Sequence, residues 1–221
     1  MGFIPKYFYF CKPNHTTNMD ASNGNTTRDK LIETAKELFL TKGVDRVGVR
    51  EIATKAGINL SLMNYYFRSK EMLFEAIFEM LVNEKAIVLK QILDSDKPLE
   101  EKIKSYVYTY IDILIDDPLL VSFVLSVIHR NNEKIANMKA IFNLYNTDIF
   151  SAQLRREVEL GRIKPIDSEQ FYVSMISLIL FPFSIKPLIG DRNKLDERAT
   201  KLFLVERKKE VYEMLIASIR I

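Results

Sequence analysis

Residues Val49 to Lys70 read VREIATKAGINLSLMNYYFRSK. Ile52, Ala53 and Ala56 recur at helical spacing and Gly57 interrupts the pattern. Asn59 is placed to cap a second short helix that runs to about Phe67 and ends in two tyrosines and a phenylalanine. Ser69 then caps a further helix starting at Lys70. Helix, glycine turn, helix is the order of a helix-turn-helix, whose second helix can lie in the major groove of DNA. Sequence-specific DNA binding is therefore the function this stretch points to.

A helix that enters a groove packs one face on its own domain and leaves the other free. Ile58, Met63, Tyr66 and Phe67 fall on the packing side, whereas Leu60, Ser61, Asn64 and Tyr65 fall outside it. An outward Leu and Tyr suit thymine methyls, sugars and phosphates, and the Asn64 amide suits adenine. Arg50 opens the preceding helix within reach of a guanine or a phosphate. Lys70 adds its ammonium to the free N–H groups of a helix N-terminus, a place for a phosphate. The candidate DNA-contacting residues are thus Arg50, Asn59, Leu60, Ser61, Asn64, Tyr65, Tyr66 and Lys70. Core packing competes with this reading for the two tyrosines, and a surface ion pair for Arg50. Arg46, Arg50, Lys55, Arg68 and Lys70 face a single acid, Glu51, across the segment; an ordinary solvated face explains such a balance equally well.

Outward from this stretch the chain reads as all-α. Of 221 residues 48% are apolar, with only seven Gly and seven Pro, and no run alternates with the period of a strand. The net charge of +3 neither demands nor excludes a polyanion. Cys11 is the single cysteine, so no internal disulfide forms. No apolar run reaches the ~18 residues of a membrane span. Residues 1–25 carry Phe3, Tyr7, Phe8, Tyr9 and Phe10 and then a polar stretch, which fits a disordered tail better than a signal peptide; Met19 offers an alternative start.

The spacing predicts a first helix from Thr27, its N-cap, to Gly43. A long helix follows from Lys70 to about Leu93, with Leu73, Ile77, Leu81 and Val88 as its stripe. Helices then cover Leu99–Ile115, Pro118 to about Arg130, Glu133–Leu160, a segment capped by Asp167 or Ser168 that Pro182 kinks or ends, and Leu195–Ile219. No nucleophile–base set, phosphate loop, HExxH or Cys cluster is present, so no catalytic residue, metal ligand or cofactor is expected. The segment after Ser168 is apolar nearly all round and the last helix carries Leu202, Phe203 and Val205. Together they suit an isologous four-helix interface between two copies. Large apolar and aromatic residues recur through the C-terminal half, and a helical bundle can hold an apolar cavity. Tyr110, Phe123, His129, Phe142, Tyr145 and Tyr172 are the candidate lining residues, and Asn146 is a further polar anchor.

Residues 27–75 resemble the DNA-binding domain of the TetR family. The resemblance rests on Thr27, Glu37–Phe39 (ELF), Gly43, Arg50–Ala53 (REIA), Ala56–Ile58 (AGI), Asn64–Phe67 (NYYF) and Ser69–Phe74 (SKEMLF). Gly48 stands where relatives often cap with Ser or Thr. Ser61–Leu62 and Asn64 also depart from the common pattern. The resemblance implies a cytoplasmic homodimeric regulator, usually a repressor, binding a palindromic operator in double-stranded DNA and released by a small effector. On this reading 1–25 is the tail, 26–75 the DNA-binding domain, and 76–221 the effector-binding and dimerisation domain. The competing reading is a helical small-molecule-binding protein that no longer binds DNA specifically.

Overall fold

The computed structural model describes residues 21–43, 46–117, 120–121, 124–125 and 143–221, with side chains from Thr27 onward. The expectations for residues 1–20, for the helix from Pro118 to Arg130, and for Phe123, His129 and Phe142 lie outside them. The fold is helical: α1 (Ala21–Lys42), α2 (Val49–Ala56), α3 (Leu60–Tyr66), α4 (Lys70–Phe78), α5 (Glu84–Asp94), α6 (Leu99–Asp116), α7 (Asp148–Glu159), α8 (Ser168–Ser184), α9 (Lys186–Asn193) and α10 (Glu197–Ile219). Among the described residues there is no strand, and no single helix is long and apolar enough to cross a membrane.

The N-terminal unit closes on Leu31, Ala35, Leu38 and Phe39 of α1, Ile52 and Ala56 of α2, Met63 of α3, and Leu73 and Ile77 of α4, all sealed from solvent. α1 begins six residues before the expected cap, so Thr27 lies inside the helix. Gly43 ends it with a left-handed φ of +82° and donates to Phe39 O at 3.0 Å.

The long helix from Lys70 is not uniform. A π-helical turn, Glu79–Asn83, separates α4 from α5. A π turn holds an extra residue, so the apolar stripe advances by one position beyond it. Ala86, Leu89 and Leu93 are buried there, and Val88, expected in the stripe, is 42% exposed. The C-terminal body packs around α6, which is covered by α5, α8 and α10. The helix expected over Glu133–Leu160 is broken at Asn146–Thr147, where Thr147 opens α7. Pro182 does not stop α8, which runs two residues further. α9, a short helix with Pro187 in its first turn, was not anticipated.

Gly57 closes α2 with φ +66°. Its N–H donates to Thr54 O (3.0 Å) and the Ile58 N–H to Ala53 O (2.9 Å), which satisfies the last carbonyls of α2 and turns the chain into α3. A Cβ at Gly57 would sit 3.8 Å from Lys30 Nζ, an ordinary contact, so only backbone strain opposes it. Gly57→Ala is expected to lower stability by about 1–2 kcal/mol, read from the urea midpoint. An unchanged midpoint would show that the turn does not depend on a left-handed residue.

Candidate nucleic-acid interface

α3 has seven residues, too few to be stable by itself. Three features fix it. Asn59 Oδ1 accepts from the Leu62 N–H at 2.7 Å, capping the first turn. Met63 is fully buried in the core, and Phe67 (4% exposed) closes the C-terminal end beneath the Arg28 guanidinium, 5.7 Å from its ring centre. With Met63 inward, Ser61, Asn64 and Tyr65 share the outward face. Tyr65 is 75% exposed, its ring edge-on to Tyr66 at 5.3 Å.

One of the expected outward positions is placed differently. Leu60 is half-buried against the core, as is Tyr66, which was expected on the packing side; both flank Met63 on the helix surface. They shape the edge of the exposed face more than its centre. Leu62, not among the expected contacts, is 36% exposed on that surface. Asn59 is exposed, but its side-chain oxygen is committed to the cap.

The cations sort themselves by partner. Lys55 Nζ bonds Glu37 Oε1 at 2.7 Å and Lys42 Nζ bonds Glu51 Oε1 at 2.5 Å, so both brace α1 against α2. The Lys42 hydrogen bond also holds the Glu51 carboxyl below its usual pKa. Arg46, Arg50, Arg68 and Lys70 have no ion pair among the described residues. Lys70 stands in the first turn of α4, whose Met72 N–H is capped by Ser69 Oγ at 3.2 Å. An exposed helix face bearing Asn and Tyr, flanked by the cations Arg50 and Lys70, can meet base edges and phosphates together. Lys55, one of the five basic residues of the segment, is thus taken up by Glu37, and Arg46 and Arg68, absent from the candidate contacts, stand with Arg50 and Lys70. A partner 18 positions away in sequence leaves no local signal.

A second site lies between α5, α6 and α8. Aliphatic side chains line it, with Tyr110, Tyr145, Tyr172 and Lys85 as its polar groups. Its three described sequence candidates therefore meet in one cavity. Tyr172 Oη donates to Leu144 O at 2.5 Å and lies 3.4 Å from Tyr106 Oη. Burial pushes the Tyr172 phenol up to about 12 and raises Tyr106 and Tyr110 as well, so all stay neutral. Lys85 and its partner Asp117 (Nζ to Oδ2, 2.9 Å) and Tyr106 gave no pattern that a sequence reading could isolate.

These features define a helix-turn-helix protein with a separate helical cavity. Residues 31–77 match the family described as Bacterial regulatory proteins, tetR family. That segment is the helix-turn-helix unit of TetR-family DNA-binding regulators, and the chain is similar to transcriptional regulators of that family. It is 23% identical over 160 residues to the probable HTH-type transcriptional regulator YttP of Bacillus subtilis, covering 72% of this chain and 77% of that one. It is 38% identical over 73 residues to the HTH-type transcriptional repressor BdcR of Escherichia coli, covering 33% and 37%. In fold it is similar to the Bacillus subtilis regulator FadR, solved with stearoyl-CoA. There the TM-score is 0.64 at 20% identity, over 87% of this chain and 99% of that one. These relatives are named as regulators, not as enzymes.

Tyr65→Ala is expected to weaken operator binding while changing stability by less than about 0.5 kcal/mol. The inward control Met63→Ala is expected to cost about 2–5 kcal/mol in denaturation. Comparable losses of stability in the two variants would make Tyr65 a core residue. Lys70→Ala is expected to flatten the salt dependence of binding by about one unit; an unchanged slope would remove Lys70 from the interface.

Proposed function

We propose that the protein is a repressor that binds a palindromic operator as a homodimer and is released by a small effector. Residues 26–75 form the DNA-binding head and 76–221 the effector-binding and dimerisation body. The observation that carries this reading is the outward face of α3, flanked by cations that have no ion pair among the described residues. Ser61, Asn64 and Tyr65 meet base edges, sugars and phosphates. Arg50 and Lys70 hold the backbone, while Leu60 and Tyr66 support the reading helix from its packed side. Asn59 serves chiefly as the cap. The protein works in the cytoplasm, where its operator is.

Two copies join through α8 and α10. Val173 and Phe181 on α8 (49% and 62% exposed) and Leu202, Val205 and Met214 on α10 (58%, 38% and 51%) leave an apolar surface uncovered in one chain. An apolar surface of that kind is what an isologous contact buries.

Release is a population shift. α4 belongs to the head and α5 lines the cavity, with the π turn between them. Asn83 of that turn accepts from Asn143 Nδ2 at 3.0 Å, which ties it to the segment that also brings Leu144 and Tyr145 to the cavity. An effector that displaces α5 turns α4 and the head with it. The two reading helices then leave the ~34 Å spacing of successive major grooves.

Selection from a random duplex library is expected to enrich an inverted repeat, and light scattering to give a dimer. Phe181→Asp is expected to yield folded monomer with much weaker operator binding. Enrichment of no sequence, with binding that disappears uniformly as salt rises, would reject the regulator mechanism.

A further inference from the structure

The body cavity holds about 40 Å³. Pockets that bind small molecules run to about 300–1,000 Å³. An effector therefore enters only when the walls part. α5 is anchored at its far end by Leu89 and Leu93, each 2% exposed. Its near end, beside the π turn, carries two polar ties. Lys85 Nζ meets Asp117 Oδ2 at 2.9 Å, which joins the start of α5 to the C-terminal end of α6. Asn143 Nδ2 donates to Asn83 Oδ1 at 3.0 Å, which joins the π turn to the segment that brings Leu144 and Tyr145 to the cavity. The ties leave the rod two residues apart, so three walls are held together at one place. Tyr145, 51% exposed, marks that place as the rim. Both ties are weak. The side chains of Lys85 and Asp117 are 30% and 46% exposed, so water and salt screen their attraction. The bond between the asparagines is neutral and only part-buried. Contacts of these kinds each favour a closed form by a factor of about two to ten, which a ligand can outweigh.

We infer that Lys85–Asp117 and Asn83–Asn143 form a latch that keeps the cavity shut, and that releasing it parts the first turn of α5 from the end of α6 and frees the π turn leading into α4. This rests on the effector reading and specifies its regulation, by naming the contacts an effector breaks. Asn83, Asp117 and Asn143 stand outside the cavity's lining. Replacing them therefore loosens the latch and leaves the walls as they are.

The test is fluorescence titration of the full-length protein with N-phenyl-1-naphthylamine, an uncharged dye that brightens in apolar surroundings and is too large for the closed cavity. Asp117→Asn and Asn143→Ala are each expected to tighten apparent dye binding by about two- to fivefold, and the double variant to exceed either. Asn83→Asp keeps an acceptor for Asn143 Nδ2 and is expected to bind the dye as the unaltered protein does. Ile176 lines the cavity, so Ile176→Phe narrows it and is expected to cancel the gain in Asp117→Asn. That control separates uptake from dye held on the exposed faces of α8 and α10. Unchanged dye binding in Asp117→Asn and Asn143→Ala would overturn the inference. So would a gain that survives Ile176→Phe, or Asn83→Asp behaving like Asn143→Ala. Operator binding is measured on the same variants. Tighter dye binding with weaker operator binding supports the latch and the release it serves; tighter dye binding with operator binding unchanged supports the latch and counts instead against the proposed release.

Discussion

The rotational setting of α3 is the constraint on which the rest depends. A seven-residue helix contributes little stability of its own, so its orientation is decided by what it buries. Met63 is wholly inside and Phe67 nearly so. Once they are inside, the period of the helix leaves Ser61, Asn64 and Tyr65 no direction but outward. The Gly57 turn sets the angle at which this face leaves α2, and the Asn59 cap fixes where it starts. A rotation of about 100°, one residue of helix, in one direction would put Leu60 and Met63 on that face in place of Ser61 and Tyr65.

The same logic links head to body. α4 is buried in the head through Leu73 and Ile77, whereas α5 is buried in the body through Ala86, Leu89 and Leu93. The π turn reconciles the two stripes, because the face that serves the head is not the face a continuous α-helix would present to α6. A discontinuity at that point lets one rod satisfy two cores. It also puts the least regular backbone of the helix between the cavity and the DNA-facing surface.

Much of this was legible in the sequence because it is local. Gly57, Asn59, Ser69 and Asp167 announce their turns and caps within three residues, and all four act as expected. What was not legible depends on distant partners. The phase shift beyond Glu79 follows from packing on α6. The withdrawal of Lys55 follows from Glu37 on another helix. Leu60 looked outward on a helical wheel, yet the close approach of the neighbouring core half-covers it. At the cavity, three candidate tyrosines do converge, but that Tyr172 spends its hydroxyl on Leu144 O lies in the fold alone.

The most direct measurement of the central claim is a cleavage map of operator DNA from a chelated iron attached at Ser61→Cys, in a Cys11→Ser background. If the outward face of α3 reads base pairs, cuts fall in two clusters that flank the major groove of each half-site, about one helical turn apart. Cuts scattered along the duplex, or none within the half-sites while the protein remains bound, would contradict it.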